Sequence, residues 1–294
     1  MQEKNSFKEI FILTFDLEDW FHILDTDYNK DNRKWDLFES RIYENTYNII
    51  NILNNKNIKA TFFVLGWIAQ KYPDLVKYVS NHGHEIGTHS QNHILVYNCR
   101  QESFRKDILK SIDTIESVIN KKVEAFRAPG FSIKADTLWA FKIMGEVGIS
   151  IDSSIFPARR GHGGIKNFHI AQPFIIKSGK ILIKEFPINI YKFLNYKIPF
   201  SGGGYFRIMP YGLLNYFFRN SDYIMTYFHP RDFDPYQPII KELPIYRKIK
   251  CYYGIQKSLY KFNKIIDDFK FMDITTATKI INWNNKPILD FSNL

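Results

Sequence analysis

Gly83-His84-Glu85-Ile86-Gly87-Thr88-His89-Ser90-Gln91-Asn92-His93 sets two imidazoles four residues apart, straight after a short apolar run. The run, residues 85–88, reads as a strand whose end delivers the histidine pair. Histidine is scarce: of eight in the chain, four fall between positions 82 and 93. A divalent metal such as zinc takes imidazole nitrogens at about 2.0–2.1 Å, and a catalytic site leaves one coordination position open. His89 and His93 can supply two ligands, with a carboxylate from elsewhere as the third. The plainer alternative is a surface cluster of unrelated histidines. His82 and His84, which precede the pair, read as structural or solvent-facing.

Outward from this stretch, short apolar runs alternate with longer amphipathic segments, as in parallel strands joined by helices. Strands are expected at residues 10–15, 60–65, 85–88 and 125–127, and helices at 39–54, 67–81, 102–118 and 135–144. The helix at 102–118 has Phe104, Ile108, Ile112 and Ile115 on one face. The second half is less regular, with strands expected at 181–186, 223–228 and 269–274 and helices at 258–268 and 276–281. Gly202-Gly203-Gly204 lacks the Lys-Ser/Thr of a phosphate loop and reads as a permissive turn. No repeat or linker divides the chain, so residues 1–294 are expected to form one barrel-like α/β domain. Residues 236–260, rich in Tyr and Lys, either cover a site or pack against the barrel.

The 294 residues, 45% hydrophobic and 24% charged, suffice for a large core. No apolar run approaches the roughly 18–20 residues that span a bilayer. Glu3, Glu9 and Asp16 interrupt any export signal, so a cytoplasmic location is expected. Cys99 and Cys251 fit that compartment, since neither belongs to a C-x-x-C pair. The formal charge of +10 suits an anionic partner. A pyrophosphate-linked sugar donor and an anionic membrane surface both qualify; nucleic acid is not expected, because the lysines are scattered and no binding motif is visible. A coding bias toward Lys, Asn and Ile accounts for the charge equally well.

Four further strand ends carry chemistry. Asp16-Leu17-Glu18-Asp19 closes the first strand with three acids, which need a counter-charge or a metal unless they cap the next helix. Arg127-Ala128-Pro129-Gly130 ends the fourth with a guanidinium able to grip a carboxylate, or is a surface turn. Asp152-Ser153-Ser154 follows another short strand, and Tyr227-Phe228-His229-Pro230 ends a later one with a histidine. A lone histidine is usually structural, but His229 occupies the same kind of position as the others.

The ordered series Thr14-Phe15-Asp16, His89-x-x-x-His93, Arg127-x-Pro129 and Phe228-His229-Pro230 resembles the NodB-homology polysaccharide deacetylases, carbohydrate esterase family four, across about residues 10–230. Residues 15–22, Asp152-Ser153-Ser154-Ile155-Phe156-Pro157 and Gly202-Gly203-Gly204-Tyr205-Phe206-Arg207 look like a branch associated with bacterial exopolysaccharide or surface-glycan biosynthesis that carries a C-terminal extension, here about residues 231–294. The resemblance implies a deformed (β/α) barrel with an irregular extension packed on it. It also implies metal-dependent removal of an N-acetyl group from an amino sugar in a glycan or glycan precursor.

By the same resemblance, Asp16 is the general base, His229 the general acid, and His89 and His93 are metal ligands, with zinc the expected ion and cobalt an alternative. Arg127 would orient the base, Asp152 would fix the pose and protonation of His229, and a backbone N–H near Gly130 would face the oxyanion. The family's paired aspartates are replaced by Asp-Leu-Glu-Asp. The third ligand is therefore Glu18, which shares a side with Asp16 on an extended chain, or Asp19. Gly130-Phe131 also stand where the family often has an aromatic then a glycine. Two other functions fit the same residues: a metal-dependent amidohydrolase on a non-sugar amide, and an inactive glycan-binding protein.

Overall fold

The computed structural model describes residues 9–292, apart from 25, 27–31 and 195. Strands alternate with helices from the start: β1 (Ile10–Ile12), β2 (Thr14–Leu17), β3 (Thr61–Val64), β4 (Glu85–Thr88), β5 (Ala125–Phe126) and β6 (Ile151–Asp152). A hairpin follows, β7 (Phe174–Ser178) and β8 (Ile181–Glu185); β9 (Tyr191–Phe193) and β10 (Tyr196–Ile198) make a second. β11 (Tyr223–Met225), β12 (Phe271–Met272) and β13 (Ile288–Asp290) complete the set. The main sheet runs β13-β7-β8-β6-β5-β4-β3-β2, parallel from β8 to β2. β1 continues the line of β2 and pairs in parallel with β11, and Phe15 bridges Phe228 beyond it.

The curl of this sheet is a deformed barrel. Between β8 and β11 no strand ladder among the described residues closes it. Instead the Tyr223 hydroxyl donates to the Pro187 carbonyl at 2.8 Å, and the Met225 N–H donates to Asn189 Oδ1 at 2.9 Å. Period-2 alternation decides what enters the barrel. On β2, Phe15 and Leu17 join the core under the helices while Thr14 and Asp16 face inward. On β3, Phe62 packs outward and Phe63 inward. Gly87 on β4 leaves room for that ring: a Cβ there would stand 2.8 Å from Phe63 Cδ1.

Helices cover the outer face. Ile42–Asn55 buries Ile42, Ile49, Ile50 and Leu53, and Gln101–Ile119 buries Phe104, Ile108, Ile112 and Ile115. Pro73 sits at the start of a helix of its own (Pro73–Asn81), where its missing N–H costs nothing, so the expected helix at 67–81 is two. The second half holds more order than its sequence suggests, with helices at Gly203–Ile208, Tyr211–Arg219 and Ile245–Tyr252. The glycine run is a turn only at Gly203, φ +53°, and otherwise opens a helix. A Cβ on Gly204 would meet the Lys250 carbonyl oxygen at 2.5 Å. No helix among the described residues is long and apolar enough to cross a membrane.

Candidate metal and catalytic centre

The inward alternation on β2 carries past its end: Asp16 and Glu18 face the barrel mouth and Asp19 points away. Asp19 caps the short helix Trp20–His22, its carboxylate accepting from Trp20 N–H at 2.8 Å and from the Ser40 hydroxyl at 2.5 Å. The helix-capping role weighed for this acidic run therefore belongs to Asp19, and the third candidate ligand is Glu18. Glu18 Oε1 lies 3.1 Å from His89 Nε2 and 3.0 Å from His93 Nε2.

The histidine loop is built to aim both rings. His89 Nδ1 contacts the Arg127 carbonyl at 2.7 Å. A carbonyl only accepts, so Nδ1 carries the proton and the Nε2 lone pair faces Glu18. His93 doubles back through a left-handed backbone, φ +54°, a conformation histidine adopts more readily than most residues. Buried Asp107, from Gln101–Ile119, holds the turn by accepting from Gln91 N–H at 2.9 Å and Asn92 N–H at 3.3 Å. Burial pushes the Asp107 carboxyl up from its ordinary value, against those bonds.

These residues fit a divalent cation. Buried His93 Nδ1 has no hydrogen-bond partner, and the polar contact of its Nε2 is the Glu18 carboxylate at 3.0 Å, sparse pairing for a buried imidazole with no further ligand. Glu18 Oε1 stands 3.1 and 3.0 Å from the two imidazole nitrogens, close to the roughly 3.3 Å that separates tetrahedral ligands bonded at about 2.0 Å, and all three donor atoms lie within 4.8 Å of one another. Burial alone would raise the Glu18 pKa, but His93, His229 and His89 bring it well below the ordinary value, so the carboxylate is ready to bind.

Asp16 and His229 meet beside this triad. The Asp16 N–H donates to the Phe228 carbonyl at 2.7 Å, so the strand pairing that closes this side of the barrel also sets His229 against Asp16. His229 Nε2 is 3.9 Å from Asp16 Oδ2 and from Glu18 Oε1. Arg127, expected at a surface turn or on a carboxylate, is wholly buried on the carboxylate. Its Nη1 donates to Asp16 Oδ1 at 2.8 Å and Thr14 Oγ1 at 2.7 Å, its Nη2 to Ser153 Oγ at 3.0 Å, and its plane stacks 4.3 Å from the Phe63 centroid.

Asp152 does not take the place expected of it. Its carboxylate accepts from the Ser154 N–H at 2.8 Å and hydroxyl at 2.7 Å, and the same hydroxyl accepts from Ala128 N–H at 2.8 Å. It is thus a buttress for the Arg127–Gly130 turn, with Glu185 opposite it in register on β8. The partner of His229 is Asp232, whose Oδ2 lies 3.1 Å from Nδ1 and accepts the His229 N–H at 3.0 Å; buried Arg207 is ion-paired to the other oxygen. Burial would lower the His229 pKa, but Asp232, Glu18 and Asp16 hold it above the ordinary value. The sequence signal was an acid three residues after His229, with Pro230 opening a short helix between them: the acid caps that helix and meets the ring at once.

Gly130, φ +59°, lines the cavity over this centre, while the neighbouring Phe131 N–H is already donated to Ala128. The cavity, about 120 Å³, is walled on its far side by Arg247, Lys250 and Cys251 from Ile245–Tyr252. The Tyr- and Lys-rich segment therefore contributes to the site.

Residues 8–148 match the family model described as polysaccharide deacetylase. Residues 153–279 match a domain of unknown function, DUF3473, and supply β8, β11, His229 and Asp232 to the same barrel. A peptidoglycan-N-acetylglucosamine deacetylase of Bacillus cereus is 34% identical over 98 residues, 33% of this chain and 36% of that protein. The matched segments span about a third of the length of the first curated relatives. A solved structure described as a polysaccharide deacetylase from Mycobacterium smegmatis superposes with a TM-score of 0.65 at 16% identity, covering 94% of this chain and 91% of that one. A CE4 family pseudoenzyme from Bacillus anthracis gives 0.51 at 14% identity, covering 96% of this chain and 68% of the other. These two likenesses establish the fold alone.

Proposed function

We propose that the protein is a metal-dependent N-deacetylase acting on an N-acetylated amino sugar in a glycan or glycan precursor. The observation that carries the reading is the convergence of Asp16, His229 and the Glu18–His89–His93 triad at one barrel mouth. A divalent cation, zinc by this reading, would be held by Glu18, His89 and His93 and would supply Lewis-acid polarisation of the acyl carbonyl and of water. Asp16, its free oxygen toward His229 and its other oxygen bound by Arg127, takes the proton from the attacking water. The Gly130 N–H side of the cavity faces the developing oxyanion. His229, kept protonated by Asp232, gives its proton to the departing amine, which is otherwise a poor leaving group. The chemistry needs both groups in opposite protonation states at one pH, and a binding module needs neither.

The chain is read as one domain, with the barrel completed by strands from both matched segments. The associated biology is a nucleotide- or lipid-linked sugar handled in the cytoplasm during surface-polysaccharide assembly, with a pyrophosphate-linked donor or an anionic membrane as partner. The deciding experiment is amine release from N-acetylated sugars by zinc-loaded protein. Asp16→Asn is expected to lower the rate by about a thousandfold while the chain stays folded. Wild-type protein that binds zinc yet frees no amine from any such sugar overturns the reading.

A further inference from the structure

The acids that line the cavity have cationic partners within the chain: Asp16 holds Arg127, Glu18 faces imidazoles, and Asp232 is clasped by Arg207. Two cavity-lining guanidiniums have no such partner. Arg160 is framed by aromatic rings, its Cζ lying 4.5 Å from the centroid of Phe156, 5.4 Å from Tyr205 and Tyr227, and 5.7 Å from Phe131. Its Nη1 donates to the Tyr227 hydroxyl at 3.3 Å, and its backbone N–H closes a tight turn onto the Gly163 carbonyl at 2.9 Å. Arg231 is only 8% exposed; it donates to Gln237 Oε1 at 3.5 Å, and its Nε has no hydrogen-bond partner. No carboxylate among the described residues lies within 4.0 Å of either guanidinium.

A guanidinium taken out of water is costly unless a counter-ion and hydrogen bonds replace its hydration. Ring faces offset part of that cost for Arg160, and they fix the plane of the fork. A neutral sugar would still leave half-buried Arg160 with no carboxylate at ion-pair distance, and buried Arg231 with only the longer-range charges of Asp232 and Glu18. An oxyanion would satisfy both, because the planar fork of arginine matches carboxylate and phosphate oxygens.

We propose that Arg160 and Arg231 form an oxyanion subsite of this cavity, and that the substrate is an N-acylated amino sugar bearing a carboxylate or phosphate on the same sugar unit. The inference rests on the deacetylase reading for the identity of the sugar, but not for the anion.

The test compares N-acetylglucosamine, N-acetylglucosaminuronic acid and N-acetylglucosamine 1-phosphate on the zinc-loaded full chain, by calorimetry and by amine release. At least one charged sugar is expected to bind about tenfold or more tightly than the neutral one, and the better of the two identifies the source of the oxyanion. Arg160→Met and Arg231→Gln should each collapse that preference at unchanged zinc content, and Arg160→Lys should restore part of it. The zinc content matters because a phosphate also ligates the metal, a preference that would survive both substitutions. Equal affinity for charged and neutral sugars, or a preference that survives both variants, overturns the subsite. Amine release without charge preference defeats the subsite and leaves the deacetylase. Charge-selective binding lost in the arginine variants, with no amine released from any sugar, does the reverse.

Discussion

Two pairs of acids lie at strand ends inside the barrel, and their fates differ. At the end of β2, Asp16 and Glu18 are matched by Arg127, His89, His93 and His229, and Glu18 is held well below its ordinary pKa. At the ends of β6 and β8, Asp152 and Glu185 face each other in register, and burial with mutual repulsion pushes Glu185 well above the ordinary value. The first pair lies open to a cavity among cations; the second is shut in the core, where burial raises both carboxyls above their ordinary values. An acid at a strand end is therefore chemical or structural according to the cations its neighbours bring.

The sharpest way to break this contrast is within the acidic run. Glu18→Gln is expected to abolish the rise in melting temperature on adding zinc and to cut amine release by about a thousandfold. Asp19→Asn should retain the zinc response, read by thermal melts with and without metal, and lose only about 1 kcal/mol with its cap. A zinc response that survives Glu18→Gln and disappears in Asp19→Asn would reverse the assignment of the third ligand. Next in size is Arg127→Met, which strands the buried Asp16 charge and should cost about 3–5 kcal/mol in denaturant unfolding.

Asp232→Asn tests the cation-matched side by pH. His229 must be protonated to act, and its pKa is raised against the pull of burial by Asp232 first. Removing that charge lowers the pKa, so the alkaline limb of kcat/KM should move to lower pH, with a rate loss of about ten- to a hundredfold at neutral pH. An unmoved limb would mean that Asp232 only caps its helix.

Glu185→Gln gives the smallest effect, and one of opposite sign. A carboxyl whose pKa is higher folded than unfolded stabilises fully below the unfolded value, and that stability is lost as pH rises through the folded value. The variant should therefore gain about 1 kcal/mol over wild type above neutral pH and nothing in acid. Its amide oxygen can still accept the Ile155 N–H that Glu185 accepts at 3.0 Å. An equal loss at all pH values would show the carboxyl bond itself to be structural.

Much of the site was legible because it is written at strand ends. Asp16 and Glu18 lie two apart on an extended chain, so period-2 geometry sends both inward and Asp19 outward. His89 and His93 follow a strand directly, and both bring a ring nitrogen within 4.8 Å of the Glu18 carboxylate. What was misread came from contacts distant in sequence or local in an unfamiliar way. Asp152 reads like any strand-end acid, and only the register with Glu185 removes it from His229. Asp232 hides in a three-residue turn, and Arg207 reaches it across 25 residues of chain. The helix at Gly203–Ile208 escaped because a glycine run carries little helical periodicity, and Ile245–Tyr252, though Ile245, Ile249 and Tyr252 are helically spaced, is short and leaves Ile245 and Ile249 exposed.

The amino-acid order by itself determined the alternation of strands and helices, the imidazole and carboxylate donor types and the pairing of a carboxylate with an imidazole. Those are properties of local spacing. Which acid meets which cation was decided only by the folded chain, where the curl of the sheet brings residues 16, 127 and 229 within hydrogen-bond or ion-pair reach. The reason is physical: side-chain period is a local quantity, whereas a pKa and a coordination shell are sums over neighbours that only tertiary packing assembles.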